Sequence, residues 1–519
     1  MARKEATAKR KTVATSPSST GQGKVSVRMY RGQLGDFFLV RHTVGDQSFK
    51  MLIDCGVLQC IGSAKAKPST SQGKIRIVAN VADFIQETGG HLDLVVATHE
   101  HYDHLSGFIL ASDAFKNLKI DKVWMAWTED RGDKIANGYR TKKTKALAAL
   151  AMLAQNPALA ANDEMQAVTN LLQFYGDVRT VRDNAMGAAK PAGDGKLAGN
   201  ASCEAVLAWL RTRAGASNVS FLKPGEVVRW GIDNAFRAYV LGPPRDDKLL
   251  RQLDPSKGAG REVYMARAED VETVMGLASI HGGRGAEMKL EDQPFTPLHR
   301  RPYVAKKKSR ATKGVRLPND PIVRLYRAKQ DFDRSIDNEW LGSAENLALK
   351  IDGDVNNTSL ALAFELADKR IMLFPGDAQV GNWLSWGNQT YPADANSRLK
   401  IDEILARTIF YKVGHHASHN ATLRERGLEL MTHSNLCAMI PVVEETAREQ
   451  TTKRTPHGWV MPYGDLYKRL EQLTGGRVIR GDGDRNAETG KFKTSIFEID
   501  YGANFATGDP LWVELTLKL

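Results

Sequence analysis

Six of the twelve histidines stand in two short clusters, Thr98-His99-Glu100-His101-Tyr102-Asp103-His104 and His415-His416-Ala417-Ser418-His419. Three imidazoles and a carboxylate within six residues suit a borderline-soft divalent ion. Alternate residues of an extended loop can converge on one ion, as His99 and His101 would, while Asp103 and His104 face a second. Phe374-Pro375-Gly376-Asp377-Ala378 places an acid just after an apolar run and a glycine. Gly-Asp alone is an ordinary turn pair, but downstream of the histidine loop Asp377 becomes a candidate to bridge two ions. The stretch Phe410 to Ser418 delivers a further imidazole, and spacing does not separate His415 from His416. Ser418, His419 and Asn420 follow directly, where they could contact an anionic substrate or, for His419, protonate a leaving group. A helix N-cap at Ser418 or Asn420 is the equal structural reading.

These residues need strands to hold them. Val25 to Tyr30, Asp36 to His42 and Phe49 to Ile53 are short β-branched or aromatic runs, the third closing on Asp54-Cys55-Gly56. Ile77 to Thr88 reads as a helix, and His91 to Thr98 as a buried strand feeding the histidine loop. Residues 113–215 are helical in pattern, with apolar spacing in Lys145 to Gln155 and Met165 to Phe174, and resemble an insertion or cap. Trp124 and Trp127 read as packing rather than as a base-stacking platform. Strand character returns at Glu226 to Trp230 and Phe236 to Leu241. Residues 246–345 are polar, basic and weakly periodic, too long for a simple loop. Strands resume at Ser359 to Glu365, Arg370 to Phe374, Thr408 to Val413 and Cys437 to Val442. This alternation predicts an α/β fold.

In this order the motifs resemble the metallo-β-lactamase fold superfamily, and specifically its ComEC-type competence-protein branch. Gly35-Asp36-Phe37-Phe38-Leu39-Val40 is similar to that branch's opening strand and Met51 to Gly56 to its second. Residues 99–104 match its metal loop. Asn356 to Leu360 and Leu373 to Asp377 resemble the strands before the bridging aspartate, and Lys412 to Ser418 its KxxHHGS motif, with Ala417 in place of glycine. The resemblance implies a four-layer αββα sandwich over residues 24–519, with insertions at 113–215 and 246–345. It implies two zinc or manganese ions, or a single tightly bound one. His99 and His101 would hold one ion; Asp103, His104 and His415 (or His416) would hold the other, with Asp377 between them. Asp103 would also orient the attacking water. Asp54 would support the ligand loop from outside, and Asn356 stands where the superfamily usually has another histidine nearby.

Such a site hydrolyses phosphodiester, ester, thioester or amide bonds, so the ligands do not choose the substrate. The net charge of +12 is local: residues 1–12 carry five cations and one acid, and residues 300–316 eight cations and no acid, which accounts for the whole excess. Lys306, Lys307, Lys308 and Arg310 are the densest part and could track a phosphate backbone, although a solvated loop has the same composition. The expectation is a metal-dependent nuclease or phosphodiesterase with a nucleic-acid partner. The alternative is a small-molecule hydrolase acting on an ester, lactone or cyclic phosphodiester. Stand-alone proteins resembling this branch act in bacterial defence or DNA processing, a role no residue here shows. Residues 1–23 read as a disordered basic arm. The longest apolar run, Ala146 to Ala154, is nine residues, too short for a membrane span. The four cysteines show no export-type density, and a cytoplasmic location is expected.

Overall fold

A computed structural model of the chain describes residues 23–58, 72–156, 159, 163–185, 197–198, 200–253, 336–393, 397–451, 456–505 and 508–519. Almost all of the expected basic arm and most of the basic insertion, including Lys306, Lys307, Lys308 and Arg310, lie outside the described residues.

Fifteen strands form two large mixed sheets, so the α/β expectation holds. In chain order they are β1 (Lys24–Tyr30), β2 (Phe37–Val44), β3 (Gln47–Cys55), β4 (Leu94–Ala97), β5 (Val123–Ala126), β6 (Val219–Leu222), β7 (Val227–Trp230), β8 (Phe236–Gly242), β9 (Ala361–Glu365), β10 (Ile371–Phe374), β11 (Thr408–Lys412), β12 (Cys437–Ile440), β13 (Val478–Arg480), β14 (Phe497–Tyr501) and β15 (Trp512–Lys518). The first sheet runs β14-β15-β1-β2-β3-β4-β5-β6 and the second β13-β12-β11-β10-β9-β8-β7. Pairing is antiparallel from β14 to β3 and parallel from β3 to β6. The second sheet repeats the plan: antiparallel from β7 to β10, then parallel through β11 and β12 to β13.

The period-2 alternation of the strands explains the packing. Met51, Ile53, Leu94 and Val96 of the first sheet share one core with Val240, Leu362, Phe364, Met372 and Phe374 of the second. Their sequence neighbours face the other way. Leu52, Val95 and Ala97 pack against Ile77, Val81 and Phe84 of helix α1 (Gln72–Thr88) and Leu105 and Phe108 of α2 (Tyr102–Leu110). Ala361, Ala363, Leu373 and Tyr411 pack with Leu347, Ile351 and Trp383. Trp124 is 5% and Trp127 0% exposed, as core packing requires.

The helical insertion divides. Helices α3 (Lys134–Ala154), α4 (Asp163–Leu172) and α5 (Val178–Ala185) join the outer core of the second sheet, where α4 lies against the helix Ile336–Asn356. The helix Cys203–Ala214 instead covers the first sheet. Each sheet therefore changes from antiparallel to parallel pairing at one strand, β3 or β10. In open α/β sheets the crevice outside the carboxyl ends of strands, where connections change direction, is the natural ligand site. The chemistry-bearing loops follow β3, β4, β10 and β11.

Candidate metal centre

Strand β4 is buried along its whole length and releases the chain at Thr98. The loop then runs straight into α2, whose N-cap is His101 with an extended backbone (φ −122°, ψ 155°) and no side-chain cap. Gly56 makes this close approach possible. A Cβ there would stand 2.2 Å from the Asp103 carbonyl carbon and 2.3 Å from His104 N, so no larger residue fits behind the loop.

The site is wired through its imidazoles. His104 Nδ1 lies 2.7 Å from Asp54 Oδ2, and His416 Nδ1 lies 2.8 Å from the Pro441 carbonyl. His99 Nδ1 is 3.0 Å from Thr98 Oγ1, while Thr98 donates its hydroxyl (2.6 Å) and its backbone N–H (2.8 Å) to Asp54. Each of these three rings has Nδ1 engaged, so Nε2 is the nitrogen left to face the cluster. His416 Nε2 is 3.0 Å from Asp103 Oδ2. His104 Nε2 and Asp377 Oδ2 lie 3.1 Å apart, yet neither makes a hydrogen bond of acceptable geometry. Asp103 Oδ1 is likewise without a partner. Asp103, His104, Asp377 and His416 each offer one ligand atom, all within 4.8 Å of one another. Buried polar atoms left facing each other in this way are the donor set a divalent cation would satisfy, and its nitrogen and carboxylate oxygens suit zinc or manganese.

The charges are balanced around a buried lysine. Lys412, at the end of β11, contacts Asp36 and donates to Asp377 Oδ1 (3.1 Å) and the Gly376 carbonyl (3.0 Å). Burial pushes the Asp36 carboxyl up to about 6 despite Lys412. For Asp377, burial is outweighed by Lys412 and His104, which hold its carboxyl well below the usual range. Burial opposes a charge on His104, yet Asp377, Asp36, Asp103 and Asp54 together raise it well above an ordinary histidine. Burial opposes a charge on His416 as well, but its bond to Asp103 together with the charges of Asp377, Asp103 and Asp36 raises it. Burial dominates at His99, held well below normal, and at His101, pushed down to about 3.

His99 and His101 form a separate pair, with His99 Nε2 3.1 Å from His101 Nδ1. The far nitrogen of His101, Nε2, faces the Tyr175 hydroxyl at 3.3 Å and Asp352 Oδ1 at 3.5 Å. Burial, then repulsion from Asp103 and Asp377, pushes the Asp352 carboxyl up to about 8. Asn356, at the end of the same helix, is 1% exposed and its Oδ1 has no hydrogen-bond partner.

The loop after β11 settles which neighbouring histidine enters the cluster. His415, His416 and Ala417 all have positive φ (46°, 51° and 63°), three successive left-handed residues without a glycine. Each costs roughly 1–2 kcal/mol, and the turn directs His416 inward. His415, expected on the second ion, is not one of the four clustered ligands. Its backbone N–H donates to Asp377 Oδ1 (2.8 Å), and its Nδ1 lies 2.7 Å from Ser418 Oγ. Ser418 donates to Asn420 (2.9 Å), and no helix begins at either residue, so the capping alternative fails. His419 is exposed, its ring 6.2 Å from that of Tyr463.

None of His99, His101, Asp103, His104, Asp377 and His416 is more than 3% exposed. The cover comes from the insertion: Phe174 sits 5.4 Å from the His101 ring and stacks on Trp459. Glu100, inside the histidine loop, pairs with Lys143 of α3 and is pushed up to about 7 by burial. Asp36, Lys412, Tyr175 and Asp352 thus belong to the site without having been expected there. Asp36 had one visible signal, a lone acid opening an apolar strand; Asp352 and Tyr175 had none. No known family model and no curated protein matches the chain.

Proposed function

We propose that this chain is a metal-dependent hydrolase whose two sheets and flanking helices form the four-layer αββα sandwich of the metallo-β-lactamase superfamily, and that its substrate is a phosphodiester. The observation that carries the reading is the wiring of the imidazoles. His99, His104 and His416 each have Nδ1 engaged from outside and Nε2 turned inward, where His104 faces the unpartnered Asp377 Oδ2, His416 meets Asp103 and His99 meets His101, as ligands rather than structural histidines would be. Asp103, His104, Asp377 and His416 would hold the better-formed ion and His99 with His101 a second. Bound there, a divalent ion supplies positive charge for a developing oxyanion and makes water acidic enough to act as nucleophile near neutral pH. The chain's own residues do the rest. Lys412 and the His415 N–H fix Asp377, Asp54 fixes His104, and the insertion excludes bulk water. His415, half-buried and outside the four-ligand set, is placed to move a proton through Nε2 while Ser418 holds its Nδ1.

Metal analysis of protein purified without chelator, joined to a screen of single-stranded DNA, duplex DNA, RNA and a chromogenic phosphodiester, tests this reading. Less than about half an ion per chain, or no phosphodiester turnover with zinc or manganese, refutes it. Replacing Lys306, Lys307, Lys308 and Arg310 with serine should flatten the log–log salt slope of DNA binding by about 0.9 for each phosphate no longer neutralised. One observation favours a small-molecule substrate instead: every clustered ligand is buried beneath the helical insertion. Under that reading the serine variant behaves as wild type.

A further inference from the structure

We propose that Asp352 is a positioning residue for the metal centre, holding the Nε2–H of His101 so that Nδ1 is the nitrogen presented to an ion. The inference rests on the metal reading above and extends it to a helix outside both sheets. His99, His104 and His416 all have Nδ1 engaged and Nε2 turned inward. His101 is reversed: its Nδ1 is the atom 3.1 Å from His99 Nε2, and its Nε2 points away, toward Asp352 and Tyr175. An ion shared by His99 Nε2 and His101 Nδ1 obliges His101 to carry its proton on Nε2, which then needs an acceptor. Asp352 Oδ1 lies 3.5 Å away and is a buried oxygen with no hydrogen-bond partner, free to accept that proton. The Tyr175 hydroxyl, 3.3 Å from Nε2, is a second acceptor within reach. Carboxylate behind histidine is the usual way a ligand's tautomer and orientation are fixed. Among the described residues, His99 and His101 join no third His, Cys, Asp or Glu at ligand spacing. Their ion is therefore the more weakly held one and the more dependent on such support.

The test uses the full-length protein with zinc as the probe. Stepwise titration against a chromophoric chelator should show Asp352→Ala weakening the looser ion by about 10- to 100-fold while the tighter ion keeps its wild-type affinity. Asp352→Asn, whose amide oxygen still accepts from Nε2–H, should recover to within a few-fold of wild type, a rescue that a merely packing role would not require. In zinc-loaded wild-type protein with 15N-labelled histidine, His101, identified by the resonance missing from His101→Gln, should show a metal-bound Nδ1 and a protonated Nε2. This measurement stands even if the alanine variant does not fold. Coordination through Nε2, or Asp352→Ala titrating as wild type, overturns the proposal. A single tight ion with His101 free also overturns it, leaving the four-ligand site intact. Absence of any zinc from the wild type defeats the metal reading itself.

Discussion

Asp54→Asn changes one atom and should disable two ligands. In the native site Asp54 accepts three hydrogen bonds, from Thr98 N, Thr98 Oγ1 and His104 Nδ1, at 2.8, 2.6 and 2.7 Å. A carboxylate only accepts, so the Thr98 hydroxyl proton is committed to Asp54 and the hydroxyl oxygen accepts from His99 Nδ1–H. His99 thereby keeps Nε2 bare, and His104 keeps Nδ1–H on Asp54 when an ion displaces its Nε2 proton. With asparagine, the amide oxygen stays on the Thr98 N–H and the NH2 replaces Oδ2. Thr98 Oγ1 and His104 Nδ1 must then accept, the hydroxyl proton turns to His99, and both rings carry their proton on Nε2. Binding an ion now breaks one buried hydrogen bond per ring, about 1–3 kcal/mol each, or roughly 5- to 150-fold in affinity at each ion. The fold should tolerate the change, because Asp54 sits at φ 53°, a conformation asparagine adopts readily. Asp54→Ala leaves three buried donors unsatisfied and should lose roughly 3–6 kcal/mol of stability. Chelator competition for zinc, with thermal melts of the metal-free variants, reads both quantities. Wild-type zinc affinity in Asp54→Asn, or equal destabilisation by both substitutions, would refute the reasoning.

Metal-free protein should lose stability as pH rises from about 6.5 to 8. Over that window Asp352 (up to about 8), Glu100 (up to about 7), and the raised His104 and His416 retain protons that the unfolded chain has released. Each excess native proton contributes a slope of about −1.4 kcal/mol per pH unit. Below 6.5 the lowered His99, His101 and His415 oppose this trend, since they stay neutral when folded. Zinc replaces the His104 and His416 protons, so its gain in Tm should be larger at pH 8 than at pH 6; an equal or smaller gain contradicts the assignment. His416→Ala should lose the tighter ion, whereas His415→Ala should keep metal content and lose turnover by about 10²- to 10⁴-fold, as elemental analysis beside kinetics would show. Lys412→Met leaves Asp36 and Asp377 buried without their cation and should cost about 3–5 kcal/mol in metal-free protein. Denaturant melts should show a smaller loss with zinc, which compensates Asp377, and an equal loss in both states would show that Asp377 does not meet the ion.

What the sequence reveals here follows the range of the interactions. The strands of the α/β core are legible because both faces of Leu94–Ala97 or Ile371–Phe374 must be apolar. The ligand loops are legible because strand ends carry them in tight spacing, as with His99 to His104 and Asp377. Choosing His416 over His415 is not legible: it depends on three left-handed residues that only the packed loop enforces. Asp352 lies between the polar stretch 246–345 and the strand expected from Ser359, outside every expected element, and it meets His101 across about 250 residues of chain. The C-terminal strands Val478–Arg480, Phe497–Tyr501 and Trp512–Lys518 went unanticipated because their alternation is short and mixed with charge.

The cover that the insertion places over the ligands has a kinetic meaning. With Phe174 stacked on Trp459 beside His101 and every clustered ligand at most 3% exposed, the described residues leave an ion at this cluster almost no contact with solvent in this conformation. Its departure then waits on the parting of helices rather than on the strength of its bonds. Stripping by an excess of chelator should approach a ceiling rate that further chelator does not raise, and that ceiling reports how often the protein breathes. Substrate entering by the same route would inherit the same clock, so metal loss and the limiting turnover rate would slow together in any variant that tightens the aromatic stack.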